Sequence, residues 1–309
     1  MTMRLDRLRL AAAALLSLLG ARAVPLTAQT SQRTSAATEL AGVSYTIRVG
    51  GPPRVGSGLI AALAAPPAHY VANAVYAAGR GRLDIVDGGV ESVFAKGDYV
   101  LFDSTDLVIV HPATHEFVPL AHDATDSKMG QMQAMGLTLT IGDIKVTLDS
   151  VPGRDTVASY ATRHFRMTTA FTMTIAANLM QQRLATESVT DYWVATVPGL
   201  PGNPLLQANG FSGTPVSTDM FKDLAARVDS AAALMGPTVA LKTSTSSRLM
   251  QGPGSIVQMQ QTSEVSDLEH VEVDPNRLVL PAAFAEGTLP GMSATPGADA
   301  GAKWRRAPR

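Results

Sequence analysis

The chain contains no cysteine. Disulfide bridges, thiolate zinc sites, iron–sulfur clusters and a cysteine nucleophile are therefore excluded, as is the lipid-modified N-terminal cysteine of bacterial lipoproteins. Charge is scarce as well, because charged residues make up 17% of the 309 residues and the formal net charge is −1. This balance provides no basic surface for nucleic acid, so nucleic acid is not expected as a partner. It also provides no general attraction to anionic membrane surfaces.

The sequence also lacks the motifs of the common enzyme active sites. Gly-x-Ser-x-Gly is absent, and the nearest match, at residues 210–213, is one residue too short. Gly79-Arg80-Gly81 lacks the third glycine of a dinucleotide-binding fingerprint, and there is no phosphate-binding loop. We therefore predict that the protein is not an enzyme, has no catalytic residues and needs no cofactor.

One polar cluster has the residue types of a metal site, namely His111, His115, Glu116, His122 and Asp123. If the three residues after His111 form a hairpin loop, His111 and His115 face each other across it. Hairpin ends are polar in any case, and the tight spacings typical of zinc sites are missing. We predict no metal site here and keep a metal-dependent hydrolase that uses this cluster as a second alternative function.

The N-terminus has the order of a secretory signal peptide. Three arginines within the first nine residues precede an apolar run from Leu10 to Leu19, and small residues with candidate cleavage sites after Ala23 and Ala28 follow. The apolar run is about half the length that a transmembrane helix needs. We predict that residues 1–28 are cleaved and that the protein is exported to the periplasm or outer envelope; an uncleaved anchor or an amphipathic helix is the alternative.

Composition divides the remainder into three parts. Residues 29–40 are rich in Thr, Ser and Ala and read as a linker. Residues 41–286 form a single β-rich domain. Residues 287–309 are rich in Gly, Pro and Ala, end in basic residues around Trp304, and are predicted to be a disordered tail.

Period-two alternation dominates the domain. The clearest element is a hairpin at 137–148, in which Gly142-Asp143 forms the turn between two alternating segments. A long strand is predicted at 163–175, with Phe165, Met167 and Phe171 on its apolar face. Residues 43–49 alternate in the same way. Further strands are predicted at 68–77, 81–87, 98–103, 106–111, 115–120, 189–196, 254–266 and 268–274.

Helices are few. Residues 218–235 carry apolar residues at helical spacing and stop at Gly236-Pro237, and shorter helices are predicted at 126–135 and 177–185. An apolar sheet face has to be covered, and two or three helices suffice for this. The predicted fold class is therefore mainly β (α+β): a curved antiparallel sheet, or open half-barrel, with two or three helices covering its concave face.

Four segments carry a family resemblance. They are residues 97–103 (GDYVLFD), 107–117 (beginning LVIVHP), 160–166 (YATRHFR) and 191–195 (DYWVA). Together they resemble an uncharacterised group of bacterial exported proteins related to the periplasmic lipoprotein carriers, with a LolA-like fold. The resemblance covers residues 41–286, although the proline-containing stretch 51–67 has no obvious counterpart. It implies an open barrel whose apolar concave face, lidded by helices, holds lipid or acyl chains.

The methionines fit such a lining, because 13 methionines stand against eight phenylalanines and methionine adapts to variable apolar ligands. Filling an ordinary core is the competing interpretation of these methionines. The predicted function is an exported envelope module that binds a hydrophobic small molecule or lipid without catalysis. A structural or protein-interaction component of the envelope, with an envelope protein as its partner, is the alternative. The predicted cavity residues are Met129, Met132, Met135, Phe165, Met167, Phe171 and Trp193.

Overall fold

A computed structural model describes residues 39–51, 69–90, 93–103, 107–119, 137–177, 180–200, 222–251, 255–287 and 303–306. The predicted signal peptide and the helix at 126–135 lie outside these residues. So do Met129, Met132 and Met135, together with His122 and Asp123.

Thirteen strands of the described residues form one curved sheet that does not close on itself. All neighbouring strands are antiparallel except β13 and β7, which are parallel. The order across the sheet is β13-β7-β6-β5-β3-β2-β1-β12-β11-β10-β9-β8, and β4 pairs with β3. The strands are β1 (Leu40–Gly50), β2 (His69–Ala77), β3 (Arg80–Val90), β4 (Phe94–Ala95), β5 (Tyr99–Phe102), β6 (Leu107–His111), β7 (Glu116–Pro119), β8 (Leu137–Val157), β9 (Tyr160–Ala177), β10 (Met180–Ala195), β11 (Val239–Gln251), β12 (Ser255–Val273) and β13 (Ala285–Glu286).

The predicted fold class is confirmed as a mainly β protein with a curved, open antiparallel sheet. One α-helix, α1 (Lys222–Ala233), lies within the described ranges, together with a 3-10 turn at Pro275–Leu278. The helix lies inside the predicted segment 218–235. The chain then turns at Gly236, which has a φ of +76°. Leu224 is the buried anchor of α1, and the helix packs against β8.

The helix predicted at 177–185 is wrong, because β9 runs to Ala177 and β10 begins at Met180. The apolar residues around Leu184 recur in the sequence at a spacing that also suits a helix. Here, however, β10 pairs with β9 on one side and β11 on the other. The two ladders satisfy the backbone groups of β10, and this tertiary pairing overrides the local periodicity.

The hairpin predicted at 137–148 is also wrong, because β8 is one strand of 21 residues that runs through Gly142-Asp143. The ladder with β9 steps from Gly142 opposite Thr172 to Lys145 opposite Ala170, so two residues face one in a β-bulge. Asp143 has a φ of +53°, a conformation that bulges and tight hairpin turns both use. Its carboxylate accepts a hydrogen bond of 3.0 Å from Thr172 Oγ1.

The bulge accounts for the pattern that suggested a hairpin. One extra residue reverses the alternation of a strand. Leu139 and Ile141 before the bulge therefore share a face with Val146 and Leu148 after it. A hairpin would also have placed these side chains on one face, so the apolar pattern alone does not distinguish the two structures.

The main core packs on one face of the sheet. The alternating residues Val43, Tyr45, Ile47 and Val49 are all buried in it, as the period-two pattern predicts. Rings of β2 reach across β3 to rings of β4 and β5, in the edge-to-face pair Tyr70–Phe94 and the stacked pair Tyr76–Phe102. Side chains fill this part of the core face.

A short C-terminal segment, residues 303–306, covers the other side of β5–β7. All four residues of β5 are buried, so this strand is apolar on both faces and needs a cover on each. Trp304 supplies that cover, with a side chain that is 1% exposed among Tyr99, Leu101 and Phe117. Its carbonyl accepts a 2.7 Å hydrogen bond from the Leu280 amide. The segment lies within the range for which composition predicts a disordered tail.

Basic side chains of and around the C-terminal segment hold it in place. The Arg80 guanidinium lies 5.2 Å from the centre of the Trp304 ring and donates to the carbonyl of Lys303 at 3.0 Å. Arg305 donates to the carbonyls of Ala282 and Phe284 at 2.6 and 2.9 Å. The basic end that looked like a solvated tail therefore makes specific backbone contacts.

We predict that Trp304→Ala lowers the free energy of unfolding by about 3–5 kcal/mol, the range for truncating a buried large aromatic residue. Urea denaturation followed by circular dichroism measures the change. Val86→Ala is the matched control, because Val86 is 37% exposed and its truncation should cost less than about 1 kcal/mol. Equal small losses in the two variants would contradict the packing of Trp304 described above.

The hydroxyl of Tyr45 is buried and has no hydrogen-bond partner within the described ranges, and burial raises the pKa of Tyr45 well above its usual range. We predict that Tyr45→Phe raises the free energy of unfolding by about 1 kcal/mol, since it removes an unsatisfied buried group. Tyr192→Phe should instead destabilise the protein, because the Tyr192 hydroxyl is hydrogen-bonded to Thr190.

The raised folded-state pKa of Tyr45 also means that stability falls as pH rises above about 10. Denaturation at neutral and alkaline pH should show a weaker fall in Tyr45→Phe.

Candidate functional site

A cleft of about 600 Å³ opens between the β8–β9 pair and the end of α1. Its volume lies within the range of about 300–1,000 Å³ that small-molecule sites occupy. We call it the bulge cleft, and the described residues that line it are Ser150, Val151, Pro152, Gly153, Arg154, Ala161, Thr162, Arg163, His164, Phe165 and Leu234.

A second bulge of β8 builds one wall of the bulge cleft. Val151 pairs with His164 and Asp155 pairs with Thr162, so the three residues 152–154 lie opposite Arg163 alone. Gly153 has a φ of +132°, which L side chains rarely adopt. The Thr162 hydroxyl, which is buried, donates 3.0 Å to the carbonyl of Asp155 and fixes the far side of the bulge.

This second bulge differs from the first in its effect on the strand. Two extra residues leave the alternation of apolar and polar faces unchanged, whereas the single extra residue at Gly142 reverses it. The burial pattern of β8 therefore does not require the second bulge. Bulges of this kind occur next to binding and active sites, where they redirect side chains.

Arg163 joins the strand wall of the cleft to the helix. Its Nη2 donates 2.7 Å to the carbonyl of Met235, just beyond α1, and its guanidinium lies 5.3 Å from the centre of the Phe165 ring. The last turn of α1 contains no basic residue. Arg163 therefore supplies from β9 the cation that a helix C-terminus favours.

An ion-pair cluster borders the cleft through the lining residue His164, on the opposite face of β9 from Phe165. His164 Nε2 is 2.8 Å from Asp191 Oδ1, and Arg166 donates to both oxygens of Asp191 at 2.9 and 3.2 Å. The Asp191 carboxylate raises the pKa of Arg166 through this hydrogen bond. The Trp193 ring stacks on His164 at 4.4 Å, and its Nε1 donates 2.7 Å to Asp155 Oδ2.

The arrangement of His164 and Asp191 resembles two members of a catalytic triad. Within the described residues, no serine or threonine hydroxyl is hydrogen-bonded to His164. Such a contact is what activates a hydroxyl for attack. Cross-strand charge pairs of this kind are ordinary stabilising features of an exposed sheet face.

The structure brings together only some of the predicted cavity residues. Phe165 is 8% exposed and forms the floor of the bulge cleft. Met167 and Phe171 follow on the same face of β9, Met167 in the packed core and Phe171 half-buried farther along. Trp193 does not join them: it pairs with His164 on the opposite face and is hydrogen-bonded to Asp155.

Sequence reasoning did not find a polar band farther along the core face of the sheet. The hydroxyls of Ser188 and Ser247 lie 2.9 Å apart, and those of Thr190 and Thr245 lie 3.1 Å apart. The predicted strands did not include β11. A smaller apolar cluster follows beyond the band, formed by Leu184 and Val257 with Met173, Ile175, Leu249 and Met259 around them.

Two buried polar atoms near this band lack partners. Thr186 Oγ1 and Gln261 Nε2 are enclosed, and among the described residues neither has a hydrogen-bond partner. An unsatisfied group of this type costs about 1–3 kcal/mol unless a bound molecule satisfies it. The core face of the sheet therefore has unused hydrogen-bonding capacity next to apolar surface.

The predicted pairing of His111 with His115 is wrong. His111 lies opposite Glu116 in the β6–β7 ladder, because the turn between them contains four residues, and His115 takes a φ of +56° within that turn. His111 Nδ1 is instead 3.0 Å from Asp98 Oδ2. Across the described ranges, no three His, Asp or Glu side chains are grouped closely enough to hold a metal ion.

Comparison with known proteins identifies no relative, because neither a protein-family model nor a curated protein matches the chain. The resemblance to the lipoprotein carriers therefore stays a prediction. In the part of the chain that the structure describes, no helix is long and apolar enough to cross a membrane.

The residues that build the bulge cleft were mostly missed from the sequence. Arg154, Arg163 and Leu234 carry no motif, and they meet only through the β8–β9 ladder and the position of α1. One local signal existed. Pro152-Gly153 interrupts an otherwise regular strand pattern, and such an interruption is typical of a bulge.

We predict that Gly153→Ala lowers the free energy of unfolding by about 1–3 kcal/mol, because alanine does not tolerate the backbone conformation of this bulge. Gly142→Ala in the first bulge is the matched control. A Cβ at Gly142 would meet only Thr172 Oγ1, at an ordinary 3.6 Å, so stability should change little. Thermal denaturation of the two variants measures the difference. Equal effects would show that the φ of Gly153 places no constraint on the strand.

Proposed function

We propose that this protein is an exported envelope binding module that holds a hydrophobic ligand in the bulge cleft and performs no catalysis. The observation that carries the proposal is an exposed leucine at a formed cleft. Leu234 is 73% exposed, although Val228, Ala231 and Ala232 of the helix just before it pack on the core. It faces a cleft of about 600 Å³.

The lining of the cleft supports an apolar ligand. Val151, Pro152 and Ala161 contribute small apolar surface, Phe165 forms an aromatic floor, and Leu234 stands at the rim. Burying a leucine side chain is worth about 1.5–3 kcal/mol. A ligand that covers Leu234 and touches Phe165 would gain this free energy without displacing any core residue.

The cellular setting belongs to the same proposal. The signal-peptide pattern of residues 1–28 supports export to the periplasm or outer envelope. The open curved sheet is compatible with the lipoprotein-carrier resemblance. A scaffold alone is weak evidence for a function, so the proposal depends on the cleft and not on the fold.

A protein-interaction role is the second candidate, and the same leucine favours it. Arginine is enriched at protein contact surfaces, and the exposed Leu234 adds apolar surface beside two arginines of the cleft lining. The two candidates differ in scale, because a small apolar molecule fits inside the bulge cleft whereas a protein partner requires surface around it.

We predict that 1-octanol binds the protein and that Leu234→Ser weakens this binding about tenfold, in line with the loss of one partly covered leucine. Isothermal titration calorimetry measures the affinity. Because Leu234 is exposed, its substitution should change the free energy of unfolding by less than about 0.5 kcal/mol.

Val86→Ser is the control, since it removes another exposed apolar side chain on β3, away from the cleft residues. It should leave octanol binding unchanged. Failure of octanol and of other single-chain amphiphiles to bind, with the protein folded, would reject the ligand-binding proposal and favour the interaction role.

A further inference from the structure

We infer that the bulge cleft recognises an anionic group, a carboxylate or a phosphate, on the ligand, and that Arg154 and Arg163 hold it. The inference rests on the proposed function, because the cleft has to be a binding site. It adds a chemical class: an amphiphile with an anionic head and an apolar chain.

The first observation is an unbalanced pair of positive charges. The ladder places Arg154 among the three residues of the second bulge that lie opposite Arg163. Like charges opposite each other on a sheet are destabilising. Both residues line the cleft, and none of its described lining residues is acidic.

The carboxylates near the two arginines already make contacts with other side chains. Asp155, next in sequence to Arg154, accepts a hydrogen bond from the Trp193 indole at 2.7 Å. Asp191 is shared between His164 and Arg166. Within the described residues, neither Arg154 nor Arg163 forms an ion pair, and the described lining of the cleft contains both arginines and no carboxylate. An incoming anion would therefore meet two unpaired positive side chains.

Arg163 is preorganised for this contact. Its hydrogen bond to the Met235 carbonyl and its position over the Phe165 ring fix the guanidinium at the cleft wall. A guanidinium has five N–H donors in a planar fork, of which this hydrogen bond uses one. The remaining donors can bind a carboxylate or phosphate in the bidentate geometry that arginine favours.

The backbone conformation of the second bulge positions Arg154. The conformation of Gly153, with its φ of +132°, directs the chain out of the ladder just before Arg154. This bulge leaves the alternation of apolar and polar residues in β8 unchanged, so it does not affect which face is buried. It does bring a second arginine to the cleft. The rim residue Leu234 is then placed to contact the chain of a ligand whose head lies between the two arginines.

The test compares ligands that share a chain and differ in the head group: octanoate, octyl phosphate and 1-octanol. We expect both anions to bind more tightly than the alcohol. Arg154→Gln should weaken binding of the anions about tenfold, the effect of losing one charge-assisted contact, and leave octanol binding unchanged. Arg154→Lys should restore part of the loss, since it keeps the charge without the fork.

Arg248→Gln is the matched control, because Arg248 is an exposed arginine of β11 that does not line the cleft. It should bind all three ligands as the wild type does. The ratio of octanoate to octyl phosphate affinity assigns the head group to the carboxylate or the phosphate class. Thermal denaturation should show that Arg154→Gln folds normally, as expected for an exposed side chain.

Three outcomes distinguish failure of the inference from failure of the proposed function. If all three ligands bind equally and Arg154→Gln changes none of them, the anion site is rejected while the hydrophobic-ligand function stands. If none of the three ligands binds to the folded protein, the proposed function is rejected and the anion site is rejected with it. If inorganic phosphate binds as tightly as octyl phosphate, the site takes a free anion and the apolar chain has no role.

Discussion

The apolar side chains of β8–β12 have to stay on one face of strands that are up to 21 residues long. Successive residues of a strand point to opposite faces, so a change in the sequence pattern requires a matching change in the ladder. The bulge at Gly142 makes that change and keeps Leu139 and Leu148 on the same face. The bulge at Gly153 makes no such correction, and its arginine borders the bulge cleft. Of the two bulges in β8, the first thus maintains the core and the second shapes the bulge cleft.

This open sheet also contains a strand that is apolar on both faces. β5 is the clearest case, with core residues behind it and Trp304 in front. Trp304 lies near the end of the chain, and it packs against strands about 200 positions earlier in the sequence. Arg80 couples the two regions, because it contacts both the ring of Trp304 and the carbonyl of Lys303.

Alternation in the sequence was enough to predict the class of the fold and most of its strands, because burial on one face is recorded directly in the order of residues. It failed at Gly142-Asp143, where a turn and a bulge share the same residues and the same backbone conformation. It failed again at β11, whose Ser/Thr-rich sequence is stabilised by cross-strand hydroxyl contacts with β10. The cleft was beyond such reasoning, since Phe165 was recognised as apolar but Arg154 and Leu234 meet it only in three dimensions.

The pairing of β1 with β12 has a consequence for how the chain acquires its structure. Leu40 lies opposite Val273, so the central ladder of the sheet joins residues near the two ends of the described chain. Until β12 is available, β1 has an unpaired edge of exposed amide and carbonyl groups, the kind of edge that recruits other chains. Long-range pairing of this type also makes folding slow, because a large loop must close before the contacts form. A truncated or stalled chain is therefore an aggregation-prone species, and the complete sheet belongs to the full-length molecule.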